Sequence, residues 1–343
     1  MEILLRKEYL KFINYWLIFL LFLIGLIVII GGLTRLTDSG LSITRWDIVS
    51  GILPPLNKEE WLEAFNLYKE IPQYYLLNPT MTINEFKVIY YWEYLHRILG
   101  RALGFFFLVP LVFVYIKKIF NKQYNLNFFI LFLLILIQGA VGWYMVKSGL
   151  VENTTVSHYR LAIHLNLALI LFSAIFWYFL NLNTDSNKIF FDLKKGNIFP
   201  KIFIFLIFLQ VTFGAFTSGL DAGKIYQTWP LMNNYFFPDD LSVNSFVFPQ
   251  IFSEASFVQF LHRKLAYLIF IYALCISIYV FYKRKKHLYN STYFLLTMIF
   301  IQVTLGIFTL TSGLQIAIAS MHQISTILLL ISSIYFYYNS LKS

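Results

Sequence analysis

The chain has 343 residues, of which 59% are hydrophobic and only 13% charged, and its formal net charge is +10. Soluble domains carry about 25% charged residues, so this composition excludes an ordinary soluble domain. The positive charge does not point to nucleic acid, because the cations sit in short linkers between long apolar runs, where they signal orientation in a membrane.

Arg6, Lys7 and Lys11 lead into an apolar run from Phe12 to Leu33. At about 20 residues per ~30 Å of hydrocarbon, that run reads as an uncleaved first span rather than a signal peptide. A long loop follows, about 34–95. Within it "NKEE" at 57–60 starts a helix through Trp61, Phe65 and Tyr68 that stops before Pro72. "TINE" at 82–85 is a second capping box, opening a helix that continues through Glu93 and His96 into the next span. Spans are expected at roughly 13–33, 97–117, 127–147, 161–181, 199–219, 262–282, 291–311 and 318–338. Basic linkers separate spans two and three (Lys117, Lys118, Lys122), four and five (Lys188, Lys194, Lys195, Lys201) and six and seven (Lys283, Arg284, Lys285, Lys286). They share a side with the basic N-terminus, which makes that side and both termini cytoplasmic. The loops at about 34–95 and 218–261 then lie on the outer side.

The two halves align. Gly31, Thr34, Asp38, Gly40 and Trp46 match Gly214, Thr217, Asp221, Gly223 and Trp229 at one constant offset. His96 and Arg97 match His262 and Arg263, and His164 matches His322. Gln138, Gly142, Ser148, Gly149 and Leu150 match Gln302, Gly306, Ser312, Gly313 and Leu314. The expected fold is therefore an all-α integral membrane protein with eight transmembrane helices in two tandem four-helix bundles. They span residues 1–181 and 182–343 and are related by a pseudo-two-fold along the membrane normal.

Of six histidines, His287 lies in a basic linker and His158 in a loop, where solvated roles are the plain reading. The other four, His96, His164, His262 and His322, fall at the outer ends of the even-numbered spans, one pair per half. A single histidine there reads as a packed or interfacial residue, whereas a pair repeated across a duplication points to function. Zinc wants a third or fourth ligand, and a di-iron carboxylate site wants several Glu-x-x-His motifs; "EYLH" occurs once. Haem iron needs only two axial imidazoles, so two pairs imply two haem positions. Arg97, Arg101 and Arg263 fit haem propionates or, equally, interfacial anchoring. Glu93 lies one helical turn before His96, and its counterpart in the second half is Gln259. A carboxylate present once suits either an acid–base role confined to one half or an ion pair with Arg97 or Arg101.

The strings "GGLTRLTDSGLSITRW", "YYWEYLHRILGR", "QGAVGWYMVKSGL" and "FLHRKLAY", with the duplicated histidines, resemble the respiratory heme A synthase family, over about residues 12–337. The resemblance implies an oxidoreductase that oxidises a methyl group of haem O to the formyl group of haem A for cytochrome oxidase. It places substrate haem O between His96 and His164, with Arg97 and Arg101 beside it and Glu93 as the catalytic carboxylate. It places a haem B cofactor on His262 and His322, with Arg263. It implies two successive two-electron oxidations, through an alcohol and a diol that loses water. The implied location is the bacterial inner membrane, with the haem sites near the outer face. The implied partners are haem O synthase, an electron-transfer protein and membrane lipid, and self-association is left open. Some members carry outer-loop cysteine pairs. The single Cys275 excludes an internal disulfide here and resembles the proteobacterial and mitochondrial branch. The haem O tail is expected among Phe105, Phe106 and Phe107, which lipid contact explains equally. The rival reading is a di-haem b-type electron carrier that leaves its haem unmodified. That carrier explains the four histidines but not the Glu93–Gln259 asymmetry. A transporter would be expected to show broken helices with charged midplane residues, where these histidines lie at the outer boundary. A haem chaperone or exporter would share the haem site but release its haem unmodified.

Overall fold

The structure is a computed structural model that describes residues 7–45, 50–150, 154–184, 186–190, 198–241 and 247–341. Arg6, Trp46, Lys194 and Lys195 lie outside these residues. Among them the chain is helical, apart from one isolated bridge between Met232 and Tyr235. Eight helices are long and apolar enough to cross a membrane. They are α1 (Leu10–Leu36), α4 (Ile83–Ile116), α5 (Lys122–Gly149), α6 (His158–Asn183), α7 (Ile198–Gly219), α8 (Ala255–Tyr282), α9 (Tyr289–Thr311) and α10 (Ile316–Ser340). Two short helices, α2 (Lys58–Lys69) and α3 (Pro72–Leu77), occupy the first long loop.

The expected helix starts are present. Asn57 caps α2 by accepting from the Glu60 N–H, although Glu60 returns its own bond to the Leu56 N–H. Thr82 and Glu85 form the complete reciprocal box that opens α4. That helix then runs for 34 residues through Glu93 and His96. In the second half, α8 starts at Ala255, seven residues before the expected edge at 262. Helical hydrogen bonding extends past the apolar stretch, so His262 lies two turns inside a helix rather than at its tip.

The chain divides into two compact units, residues 1–171 and 172–343, with the division inside α6. In the first unit α1 packs on α4 and α4 on α5. The first long loop has its own small core, in which Trp61, Phe65, Tyr68, Phe86 and Tyr90 pack with Leu41 and Val156. Tyr68 donates to Gln73, and burial pushes its hydroxyl pKa up. In the second unit α7, α8, α9 and α10 close a ring, each packing on the next and α10 on α7. There the end of α6 is tied to α10: Trp177 packs on Tyr337 and Tyr338, and the Tyr338 hydroxyl meets Thr184, Ser186 and Asn181.

The repeat reaches the backbone. Asp38 and Asp221 both take positive φ (51° and 52°), as do Lys118 and Arg284 (50° and 51°), at the offsets that relate the two halves in sequence. These are left-handed residues at helix C-termini, each donating its N–H to the carbonyl three residues back; after Asp38, Lys118 and Arg284 the next N–H adds a 6→1 bond. One feature is not repeated. Pro110 interrupts α4 and cannot bond the Phe106 carbonyl one turn back. That carbonyl instead accepts from the indole N–H of Trp16 on α1, at 2.9 Å. Replacing Trp16 by Phe keeps most of the ring but strands the carbonyl, a cost of about 1–3 kcal/mol. Thermal unfolding in detergent should show a lower midpoint for Trp16→Phe than for a Phe substitution at exposed Tyr15.

Candidate functional site

Each of the four span histidines lies against a glycine on a neighbouring helix. A Cβ built on Gly31 would stand 2.8 Å from the His96 ring, and one on Gly142 would stand 2.9 Å from that of His164. In the second unit the corresponding distances are 3.1 Å from Gly214 to His262 and 3.0 Å from Gly306 to His322. Any larger residue at these positions would push the imidazole away. In the sequence these glycines appear only as matched positions of the repeat; their constant offsets carried the signal that each has a histidine partner.

In the first unit the His96 and His164 rings face across α4 and α6 with centroids 6.4 Å apart. An iron ligated by two opposed imidazoles at about 2.0 Å per bond sets ring centres about 6.3 Å apart. The observed spacing therefore fits a haem iron between them. His164 keeps a buried Nδ1 with no hydrogen-bond partner among the described residues, a donor atom available to a metal. Glutamines brace three of the four histidines. Gln138 donates to the His164 carbonyl and Gln210 to that of His262. His322 Nδ1 donates to the Gln302 carbonyl, and the Gln302 side chain is held by Ser325 and Thr326. The bond to His322 Nδ1 fixes the orientation of that ring, as suits a metal ligand, while those of Gln138 and Gln210 tie the histidine backbones to the neighbouring helix. No group of three or more His, Cys, Asp or Glu side chains that could hold a bare metal ion occurs among the described residues.

Glu93 is 3% exposed and fully engaged. Its Oε2 accepts from Ser42 Oγ and from the Ile43 N–H, both at 2.8 Å. Its Oε1 accepts from Arg97 Nη2 at 2.6 Å and Arg97 Nε at 3.1 Å. Arg97 also donates to the Ile43 and Arg45 carbonyls. The pair thus pins segment 42–45 onto α4. Sequence reasoning foresaw the Arg97 pairing as one alternative but missed Ser42 and Ile43, whose role depends on a fold-back no spacing reveals. Arg101 lies one turn further on, partly buried.

The second unit uses the same positions differently. Gln259 and Arg263 both donate to the carbonyl of Tyr226, the residue aligned with Ile43, and Arg263 also donates to the Thr228 and Leu231 carbonyls. Arg263 is 8% exposed and bonded to carbonyls in place of a carboxylate. The Tyr226 hydroxyl donates to Asp239 and Asp240; burial and these bonds raise its pKa and keep it a donor. His158 departs from expectation: it is the buried first residue of α6, its ring against Tyr159. Phe107 lies in the core with Trp16 and Phe128, leaving only Phe105 and Phe106 outward.

The family model described as cytochrome oxidase assembly protein matches residues 14–334. The chain belongs to this family. It is similar to a protein named heme A synthase from Pelagibacter ubique, with 47% identity over 95% of both chains. A second heme A synthase, from Parvibaculum lavamentivorans, is 43% identical over 91% of this chain and 89% of its own. A third, from Rickettsia africae, is 39% identical over 95% and 97%. The family match spans both units and all four Gly–His contacts, so the paired imidazoles lie within the family's common extent.

The glycine contacts make a direct prediction. On the reading that a haem iron lies between His96 and His164, Gly142→Ala and Gly31→Ala should each displace their imidazole and reduce the haem bound there by roughly tenfold, about 1.4 kcal/mol. Gly100→Ala, which meets nothing within 4 Å, should leave haem content unchanged. Haem-to-protein ratios of the purified variants check this.

Proposed function

We propose that the chain oxidises a methyl substituent of haem O to a formyl group, giving haem A for cytochrome oxidase. The observation that carries this reading is the His96–His164 pair, with iron-sized spacing, in a chain similar along nearly its whole length to heme A synthases. In this reading His96 and His164 bind the substrate haem through its iron, with Arg97 and Arg101 near its periphery. His262 and His322 hold haem B, flanked by Arg263. The glycine contacts and the Gln210 and Gln302 braces of the second unit support a bis-imidazole haem there. Haem B, when bound, supplies one-electron transfer. Both termini would be cytoplasmic, with the haem sites near the outer face of a bacterial inner membrane. A haem O synthase would deliver substrate, and a separate redox protein and membrane lipid complete the partners. Any self-association is compatible with this arrangement.

The protein's own contribution centres on Glu93. His96 follows it by one turn on helix α4, so the imidazole that would hold the iron and a buried carboxylate are fixed relative to one another. Arg97 and Ser42 hold the carboxylate's two oxygens in place, so its position relative to His96 is set before any reaction. In this proposal Glu93 stabilises the cationic character that develops during oxidation or takes up the released proton. Gln259 keeps the shape without the charge. That supports restricting oxidation to the first unit while both units keep iron ligands.

The test is the haem extracted from cells supplying haem O. Wild type should yield haem B and haem A. Glu93→Gln should yield haem B with haem O or a hydroxylated intermediate, and Ser42→Ala should lower haem A yield by a smaller factor. Glu93→Gln making haem A at wild-type yield would reduce Glu93 to an anchor for segment 42–45. Two equivalents of unmodified haem B in wild type would instead identify an electron carrier.

A further inference from the structure

The first unit contains a partly open cavity of about 280 Å³ beside the Glu93–Arg97 pair, lined by Ile43, Thr44, Arg97, Trp143 and Lys147 among others. Two of its lining side chains are cationic, and no acidic side chain lines it. Arg97 is already engaged by Glu93 and by the Ile43 and Arg45 carbonyls. Lys147 is differently placed: it is exposed in the last turn of α5, and its ammonium lies 4.9 Å from the centre of the Trp143 ring. It follows Gly142, the glycine seated against His164, by five residues, about 7.5 Å along the helix axis. That is the scale of the distance from a porphyrin's iron to its peripheral carboxylates.

The repeat supplies the second observation. The residues aligned with Trp143 and Lys147 are Ile307 and Thr311, and the one aligned with Ile43 is Tyr226. The second unit thus has no cation at the lysine position. Its tyrosine there is tied down by Asp239 and Asp240. At these aligned positions the second unit keeps only the cation Arg263, the counterpart of Arg97, and has none in place of Lys147.

Resting on the reading that this unit takes the substrate porphyrin, we propose that the cavity is a carboxylate site. Lys147 receives a porphyrin carboxylate, Trp143 forms the apolar wall beside it, and Arg97 supplies background positive charge while remaining bound to Glu93. A flexible ammonium at an open rim suits a ligand that must enter and leave, whereas the carbonyl-bound Arg263 of the other unit suits a resident one.

The test uses the purified full-length protein with its resident haem, titrated with iron mesoporphyrin IX and with its dimethyl ester, followed by absorbance. Lys147→Gln should weaken binding of the diacid by roughly tenfold, the scale of one charge-assisted hydrogen bond, and leave the ester unchanged. Equal weakening of both ligands, or no weakening of the diacid, would overturn the carboxylate site. His164→Ala separates this from the underlying reading. If that variant abolishes diacid binding while Lys147→Gln has no effect, only the carboxylate site falls. If it leaves diacid binding intact, the added porphyrin is not in the first unit and both readings fall.

Discussion

An imidazole held between packed membrane helices needs a place where the facing helix presents no side chain. Four times in this chain that place is a glycine, on α1, α5, α7 and α9, each helix preceding the one that carries its histidine or packed beside it. The constraint is steric, because a single methyl group would stand about 3 Å from the ring in each case. It accounts for the pairing of helices within each unit. It also accounts for the glycines in otherwise bulky apolar segments. Helix proximity and ligand position are one requirement here.

Around this shared frame the two units solve a common problem with different chemistry. In both, a segment after the first helix folds back over the ligand-bearing helix and is held by the residues at positions 93 and 97 or 259 and 263. The first unit uses an ion pair, so the carboxylate takes an N–H while the guanidinium takes the carbonyl of the same residue, Ile43. The second uses two neutral-acceptor bonds converging on one carbonyl, that of Tyr226. Removing a partner from the buried pair would leave an uncompensated charge, a cost of about 3–5 kcal/mol. Loss of the Gln259 amide would cost about 1 kcal/mol. The first unit therefore concentrates both its charge and its sensitivity at one point.

Much of this was legible in sequence because long apolar runs and constant offsets are period and register signals. The eight spans, the capped start of α4 and the four histidines follow from them. What was not legible is what depends on chain fold-back. Ser42 and the Ile43 backbone reach Glu93 from about 50 positions away, and neither residue type announces such a role. The start of α8 was missed because hydrophobicity marks where lipid begins, while helical hydrogen bonding continues into the polar loop. His158 was misread because a single polar residue beside a helix start carries no sign of burial.

Lys118 and Arg284 end their helices in a left-handed conformation that glycine would adopt freely, and that costs a residue with a side chain about 1 kcal/mol or more. Both also stand in basic linkers between apolar helices, where cations bias the orientation of membrane proteins. Glycine at either turn would ease the backbone and weaken the topological bias in the same substitution. At these two positions a small backbone strain therefore accompanies a charge of the kind that biases membrane orientation.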